Sequence, residues 1–242
     1  MAKPSPSEPS SSRVSRAFSK PPIRCVAFDS TGTIVYPDPH PADVYHAVGT
    51  ELGSHRSLGE IRVELSAAMR RRFLGDVAMR ATDPDYERCR WRWIVSDTLS
   101  DLSTEAVDLA FDRLWNHFAN PNHWSVFDDV TSALQQLADK GVRRMVASNF
   151  DDRLIPVLDG VGLRSLFDDV LVSSRLGWSK PNPDFFHAAA KFADGAAAHE
   201  ILMIGDTQLN DVDSARTAGW HAELIDRSSG RGLLEIVNDW LE

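Results

Sequence analysis

The run Cys25-Val26-Ala27-Phe28-Asp29-Ser30-Thr31-Gly32-Thr33 changes character halfway along. Its first four residues are apolar and few, as in a buried strand, and Gly32 marks a turn just beyond them. Asp29 therefore leaves the C-terminal edge of a strand, where open α/β sheets hold their ligands. Taken alone, a strand followed by Asp-x-Thr-Gly is more often a turn than a site. Three later stretches bear on which it is.

Between this run and the next strand the pattern changes. Pro37-Asp38-Pro39-His40-Pro41 is a stiff connector that ends any element before it. From Ala42 to Asn120 long helical periods dominate, with helices expected over Ala42–Leu52, Leu58–Arg80, Tyr86–Thr98 and Thr104–Phe118, the last capped by Ser103. Four such helices predict a bundle inserted as a unit. Strand and helix then alternate, which implies a parallel sheet. Strands are expected at Val142–Ala147, Asp169–Val172, Ile201–Ile204 and His221–Ile225. Helices are expected at Asp128–Lys140, Asp152–Leu158, Pro183–Phe192, Asp211–Ala218 and Leu233–Leu241. The predicted fold is α/β, a doubly wound, Rossmann-like parallel sheet with an α-helical bundle cap. Residues 23–36 and 125–242 form the core, and 37–124 form the cap.

Composition limits the function classes. The chain has 242 residues, 43% hydrophobic and 25% charged, ordinary for a globular protein able to bury a sizeable core. A net charge of −9 argues against nucleic-acid binding through a basic surface, and means that an anionic substrate needs a local positive site. Cys25 and Cys89 read as buried small hydrophobes, not as a disulfide or zinc framework. No run reaches the ~18 apolar residues of a membrane span. Residues 1–22, rich in Ser and Pro, lack the apolar segment of a secretory signal and read as a disordered leader. A transit peptide is the alternative, and a cytoplasmic location the default.

Polar residues stand at four expected strand ends: Asp29 to Thr33, Ser148-Asn149, Lys180-Pro181, and Gly205-Asp206 with Asp211 beyond. Each has a structural explanation: Ser148-Asn149 as a turn or cap, Lys180 as a solvated loop lysine, Asp206 as a cap, Asp211 as a first-turn charge. In order and spacing, however, Phe-Asp-Ser-Thr-Gly-Thr-Ile, Val-Ala-Ser-Asn-Phe, Ser-Lys-Pro-Asn-Pro and Ile-Gly-Asp-Thr-Gln-Leu-Asn-Asp-Val resemble the motifs of the haloacid dehalogenase-like (HAD) hydrolase superfamily. A large subset of that family carries its cap between the first two motifs.

The resemblance implies a phosphatase acting on a small phosphorylated metabolite. Asp29 would be the carboxylate nucleophile, forming an aspartyl-phosphate. Mg²⁺ would be held by Asp29, Asp206 and the Thr31 carbonyl, with Asp211 orienting bound water. Lys180 would offset charge on carboxylate and phosphoryl group, and Ser148 and Asn149 would bind the substrate. Gly32 would let the backbone turn close to the ligand, and Thr33 would brace the loop by hydrogen bonds. Trp91, Trp93, Trp115 and Trp124 read as core before cleft. Arg70-Arg71-Arg72 reads as a solvated helix face before an anion contact.

One position departs from the family pattern. Phosphatases of this family carry a second Asp two residues after the nucleophile as acid and base, and here Thr31 stands there. Loss of such a group costs ~10²–10⁴ in rate. Three readings stay open: a Mg²⁺-dependent phosphohydrolase with reduced or specialised turnover, suited to a good leaving group; a degenerate member that binds a protein partner or a phosphorylated ligand; and a 2-haloacid dehalogenase, since dehalogenases of the family also lack the second Asp. Asp38 and His40 are the nearest groups in sequence that could replace it.

Overall fold

The computed structural model describes residues 22–74 and 79–241. The leader expected over residues 1–22 lies, but for Pro22, outside them. Every residue of β1 (Cys25–Phe28) is buried, as an apolar tetrad without alternation implies. β1 is the centre of a five-stranded parallel sheet ordered β5-β4-β1-β6-β7, where β4 is Arg143–Ser148, β5 Asp169–Val172, β6 Ile201–Gly205 and β7 His221–Leu224.

Strand periodicity sends alternate side chains to opposite faces. Val26 and Phe28 join Val146, Leu202 and Ile204 beneath α5 (Val130–Asp139), α6 (Leu154–Gly160) and α10 (Leu233–Leu241). Cys25 and Ala27 join Met145, Ala147 and Met203 against α8 (Pro183–Ala190) and α9 (Ser214–Thr217). Both faces are therefore covered. Phe28, fully buried and edge-on to Phe167 with 6.0 Å between ring centroids, contributes about 2 kcal/mol of burial.

The chain runs outward from β1 to β4 and β5, then returns to place β6 on the other side of β1. This reversal opens a crevice at the C-terminal ends of β1 and β6, the place where such sheets bind ligands.

The insert is four helices, α1 (Pro41–Glu51), α2 (Leu58–Phe73), α3 (Pro84–Thr98) and α4 (Thr104–Ala119), around their own cluster, which includes Tyr45, Ile61, Val95, Phe111 and Leu114. Side chains stop each helix where it begins: His40 for α1, Ser57 with Glu60 as a capping box for α2, Asp83 for α3 and the expected Ser103 for α4. At its entry and exit β2 (Val35–Pro37) pairs antiparallel with β3 (Trp124–Val126), with Tyr36 opposite Ser125 and Pro37 opposite Trp124. This ribbon was not expected: three-residue strands are too short to show alternation.

Other differences are local. The helix expected over Leu58–Arg80 stops at Phe73, with Leu74 extended; residues 75–78 lie outside the described residues. A short helix, α7 (Ser173–Leu176), follows β5 directly. Asp211–Ala218 is not one α-helix but a π-helical turn over Gln208–Asp213 running into α9. Cys25 is buried as expected, whereas Cys89 is exposed on α3, so burial does not explain it. No helix among the described residues is long and apolar enough to cross a membrane.

Candidate active site

The four strand ends converge. Asp29 follows β1, Ser148 ends β4, Asp206 follows β6, and all three line one cleft with Thr31, Asn149, Lys180 and Asp211. The carboxylates of Asp29, Asp206 and Asp211 each offer an oxygen within 4.8 Å of the others.

Lys180 is the hub. Its Nζ donates to Asp29 Oδ1 at 2.7 Å, to the Ala147 carbonyl at 2.8 Å and to Asp211 Oδ1 at 2.6 Å. All three ammonium hydrogens are thereby used on the protein itself, so the solvated-loop explanation fails and the lysine's contribution to a ligand is its charge. Asn149 holds the lysine's backbone. Its Nδ2 donates to Lys180 O and its Oδ1 accepts from Lys180 N–H, both at 2.7 Å. The amide is a positioning clamp, a role the sequence did not reveal.

Glycines make room for the carboxylates. Gly32 has φ +86°, a left-handed conformation that suits glycine, and a Cβ there would collide with the Asp206 carboxylate. At Gly205 a Cβ would collide with the carboxylate of Asp211. The π-helical turn brings Asp211 back under β6, where its Oδ2 accepts from Thr207 N–H at 2.9 Å. Such turns recur at functional sites because they re-aim one residue without breaking the helix.

Ser148 Oγ lies 2.7 Å from Ser30 Oγ, both buried. Ser30 thus supports Ser148, leaving the latter further hydrogen-bonding capacity for a ligand. Thr33 does not brace the loop as expected, because its buried Oγ1 has no hydrogen-bond partner among the described residues. The loop is held by its backbone instead: Arg227, paired with Asp129 at 2.8 Å, donates to the Thr33 carbonyl.

The charges are coupled. Burial pushes the Asp29 carboxyl up to about 7; Lys180 opposes this, and the neighbouring Asp211 and Asp206 reinforce it. Burial works against the Lys180 ammonium too, but Asp211 and Asp29 outweigh it and the net shift is upward. Asp206, which opens onto the cleft, is raised by desolvation and then by Asp211. These directions agree if one ammonium faces three carboxylates: the lysine stays charged while the acids compete for it.

Above these residues the cleft widens to about 1170 Å³ under the four inserted helices. Trp91, Trp115 and Trp124 line it while also packing against core, Trp91 and Trp115 on the cluster of the inserted helices and Trp124 within that of the sheet domain; Trp93 is exposed with the Arg72 guanidinium over its ring. The arginine triplet divides. Arg70 faces the cleft, while Arg71 and Arg72 pair with Asp97 at 3.6 and 3.0 Å. His40 lines the cleft and caps α1 through Nδ1; Asp38 is not part of the lining. Tyr45, Leu65, Met69 and Arg153 were missed, because a helical period marks an apolar face without telling whether it meets core or cleft.

Known proteins resemble this chain in sequence and in fold. A "Haloacid dehalogenase-like hydrolase domain-containing protein 3" from Bos taurus is 36% identical over 141 residues, 56% of this chain and 55% of the relative. A "Phosphoglycolate phosphatase" from Thiobacillus denitrificans is 34% identical over 112 residues, 46% of this chain and 48% of the relative. The chain thus spans about half the length of these relatives. The crystal structure of a HAD phosphatase from Thermococcus onnurineus superposes with a TM-score of 0.61 at 26% identity, covering 87% of this chain and 89% of that one. The family model described as haloacid dehalogenase-like hydrolase matches residues 23–219, and the chain belongs to that family.

Proposed function

We propose that the protein is a Mg²⁺-dependent phosphohydrolase that works through an aspartyl-phosphate at Asp29. One observation carries the reading: a nearly buried carboxylate is held through Oδ1 by Lys180, with no hydrogen bond on Oδ2 among the described residues, beside two more carboxylates at a cleft floor. A carboxylate held by one oxygen keeps the other for attack on phosphorus. The likeness to a phosphoglycolate phosphatase and to a HAD phosphatase supports the phosphatase class.

The donor set fits Mg²⁺. Three hard oxygen ligands meet within 4.8 Å around a single ammonium, which leaves net negative charge for a cation to balance. Asp29, Asp206 and the Thr31 carbonyl would hold the ion with Asp211 beside them, and it would supply the positive charge that lets a phosphate dianion approach a carboxylate. The protein's own groups do the rest. Lys180 fixes the attacking carboxylate, and Ser148, backed by Ser30, offers a fixed dipole to a phosphoryl oxygen.

Acetyl phosphate tests this, since it is small and its leaving group needs no donor. Phosphate release is expected with Mg²⁺ and is expected to stop with EDTA or in Asp29→Asn. Release that survives Asp29→Asn would overturn the nucleophile assignment. Thr31 favours a second reading, a protein that binds a phosphorylated ligand or a protein partner without turnover. Mg²⁺-dependent binding of inorganic phosphate with no acetyl phosphate hydrolysis would select it.

A further inference from the structure

We infer that the substrates of this site are phosphate monoesters of phenols, with the aromatic leaving group seated among the inserted helices and expelled without an enzymic acid. This rests on the phosphohydrolase reading of Asp29 and adds to it the chemistry of the leaving group. Two separate observations carry it: the proton donors around Asp29, and the lining of the cleft beyond it.

Among the described residues, no carboxylic acid outside the carboxylate cluster stands ready to protonate a leaving oxygen. Lys180 has given all three hydrogens to Asp29, Ala147 and Asp211. Asp206 and Asp211 belong to the carboxylate cluster, and Asp211 is tied on both oxygens, to Lys180 and Thr207. Tyr45 is buried, and burial drives its hydroxyl further from acidity. Thr31 offers only an alcohol, and His40, whose Nδ1 accepts from Ala42 N–H to cap α1, keeps Nε2 alone for a ligand, which the His40→Asn comparison below tests. A phenolic oxygen, with a pKa of about 10, leaves far more readily than an alkoxide near water's value of about 16.

The cleft above Asp29 is built for an apolar ring. Its walls carry Leu65 and Met69 from α2, Trp91 from α3, and Phe111 and Trp115 from α4. Arg153, buried in this wall while Arg62 and Arg70 line its exposed side, is already neutralised. Arg153 is doubly bonded to Asp151 at 2.8 and 2.7 Å, with its guanidinium 3.6 Å from the centroid of the Trp115 ring. A small polar alcohol would leave these surfaces wet, whereas an aromatic ring buries them and stacks.

The step balances without an added acid. The free oxygen of Asp29 forms the bond to phosphorus as the bond from phosphorus to the aryl oxygen breaks, and that electron pair leaves as phenolate, which takes its proton from water. Water then cleaves the acyl phosphate, returning the Asp29 carboxylate and inorganic phosphate.

The test compares 1-naphthyl phosphate, substituted phenyl phosphates, glycerol phosphate and acetyl phosphate on the full chain with Mg²⁺. The expected kcat/KM for naphthyl phosphate exceeds that for glycerol phosphate by a hundredfold or more, and rates across the phenyl series fall steeply as leaving-group pKa rises. Leu65→Ala and Met69→Ala, each checked for folding by circular dichroism, are expected to lower the naphthyl-to-acetyl ratio of kcat/KM about tenfold. Glycerol phosphate turned over as well as naphthyl phosphate, or a ratio unmoved in both variants, would overturn the inference and leave the nucleophile intact. A shallow pKa dependence that steepens in His40→Asn would overturn it by assigning the acid to His40. No hydrolysis of any ester, acetyl phosphate included, would remove the phosphohydrolase reading and this inference together.

Discussion

Lys180 and Asp211 meet at 2.6 Å where each side chain is only 2% exposed. The same ammonium reaches Asp29 at 2.7 Å, so a single buried cation orders two acids from different strand ends. Removing one member of a buried pair strands its partner, which typically costs about 3–5 kcal/mol.

Lys180→Gln is therefore expected to lower unfolding free energy by about 3 kcal/mol in EDTA, read from urea titration, with part of the loss recovered on adding Mg²⁺. Acetyl phosphate turnover is expected to fall at least a hundredfold. A variant as stable as the parent would show that the pair is not structural.

Asp29 gives a pH dependence. A carboxyl raised in the folded state favours folding while protonated. That contribution is complete below the unfolded value of about 4 and is lost as pH rises through about 7. In EDTA the urea midpoint is expected to drop between about pH 4 and pH 7, with Asp29→Asn flattening the drop and exceeding the parent at the alkaline end. Mg²⁺ competes with the same proton, so calorimetry is expected to show affinity weakening as pH falls. A pH-independent affinity would contradict this account.

Gly205→Ala tests the cradle. The added Cβ collides with the Asp211 carboxylate, which must move away from Lys180 and Thr207. Mg²⁺ affinity and turnover are each expected to fall about ten- to a hundredfold, the range for lost support around a metal site. Unchanged values would mean that Asp211 is dispensable.

Glu87 and Arg90 pin the inserted helices to the sheet domain. The pair meets at 3.0 Å with both side chains essentially inaccessible, and Glu87 also accepts from Thr82 at 2.7 Å and from Ser173 at 3.3 Å across the junction. Glu87→Gln strands the arginine and is expected to cost about 3 kcal/mol, whereas Glu87→Gln with Arg90→Met is expected to recover most of it. A double variant no better than the single would show that the arginine is not the source of the cost.

The strands and the order of the site residues were legible in the sequence for a physical reason. A strand buried on both faces must be apolar throughout, so Cys25–Phe28 and Ile201–Gly205 stand out, and the polar residue after each marks a sheet edge. The division of labour among those residues was not legible. Asn149 and Ser30 carry the side chains of a turn, and only their contacts with Lys180 and Ser148, 31 and 118 positions away, show them to be supports.

The tryptophans and the arginine triplet mark the same limit. Helical spacing places Trp91, Trp115 and Arg70 on faces, but a face acquires meaning from what packs against it. By itself, then, the sequence determined an α/β sheet with a helical insert and an acidic loop at Asp29 on a strand end, because local periodicity and strand-end chemistry are properties of neighbouring residues. The tertiary structure alone decided that Lys180 uses every hydrogen on the protein and that the helical insert offers Asp29 an aromatic wall. Those are relations between residues far apart in the chain, which exist only once the sheet has brought its strand ends together.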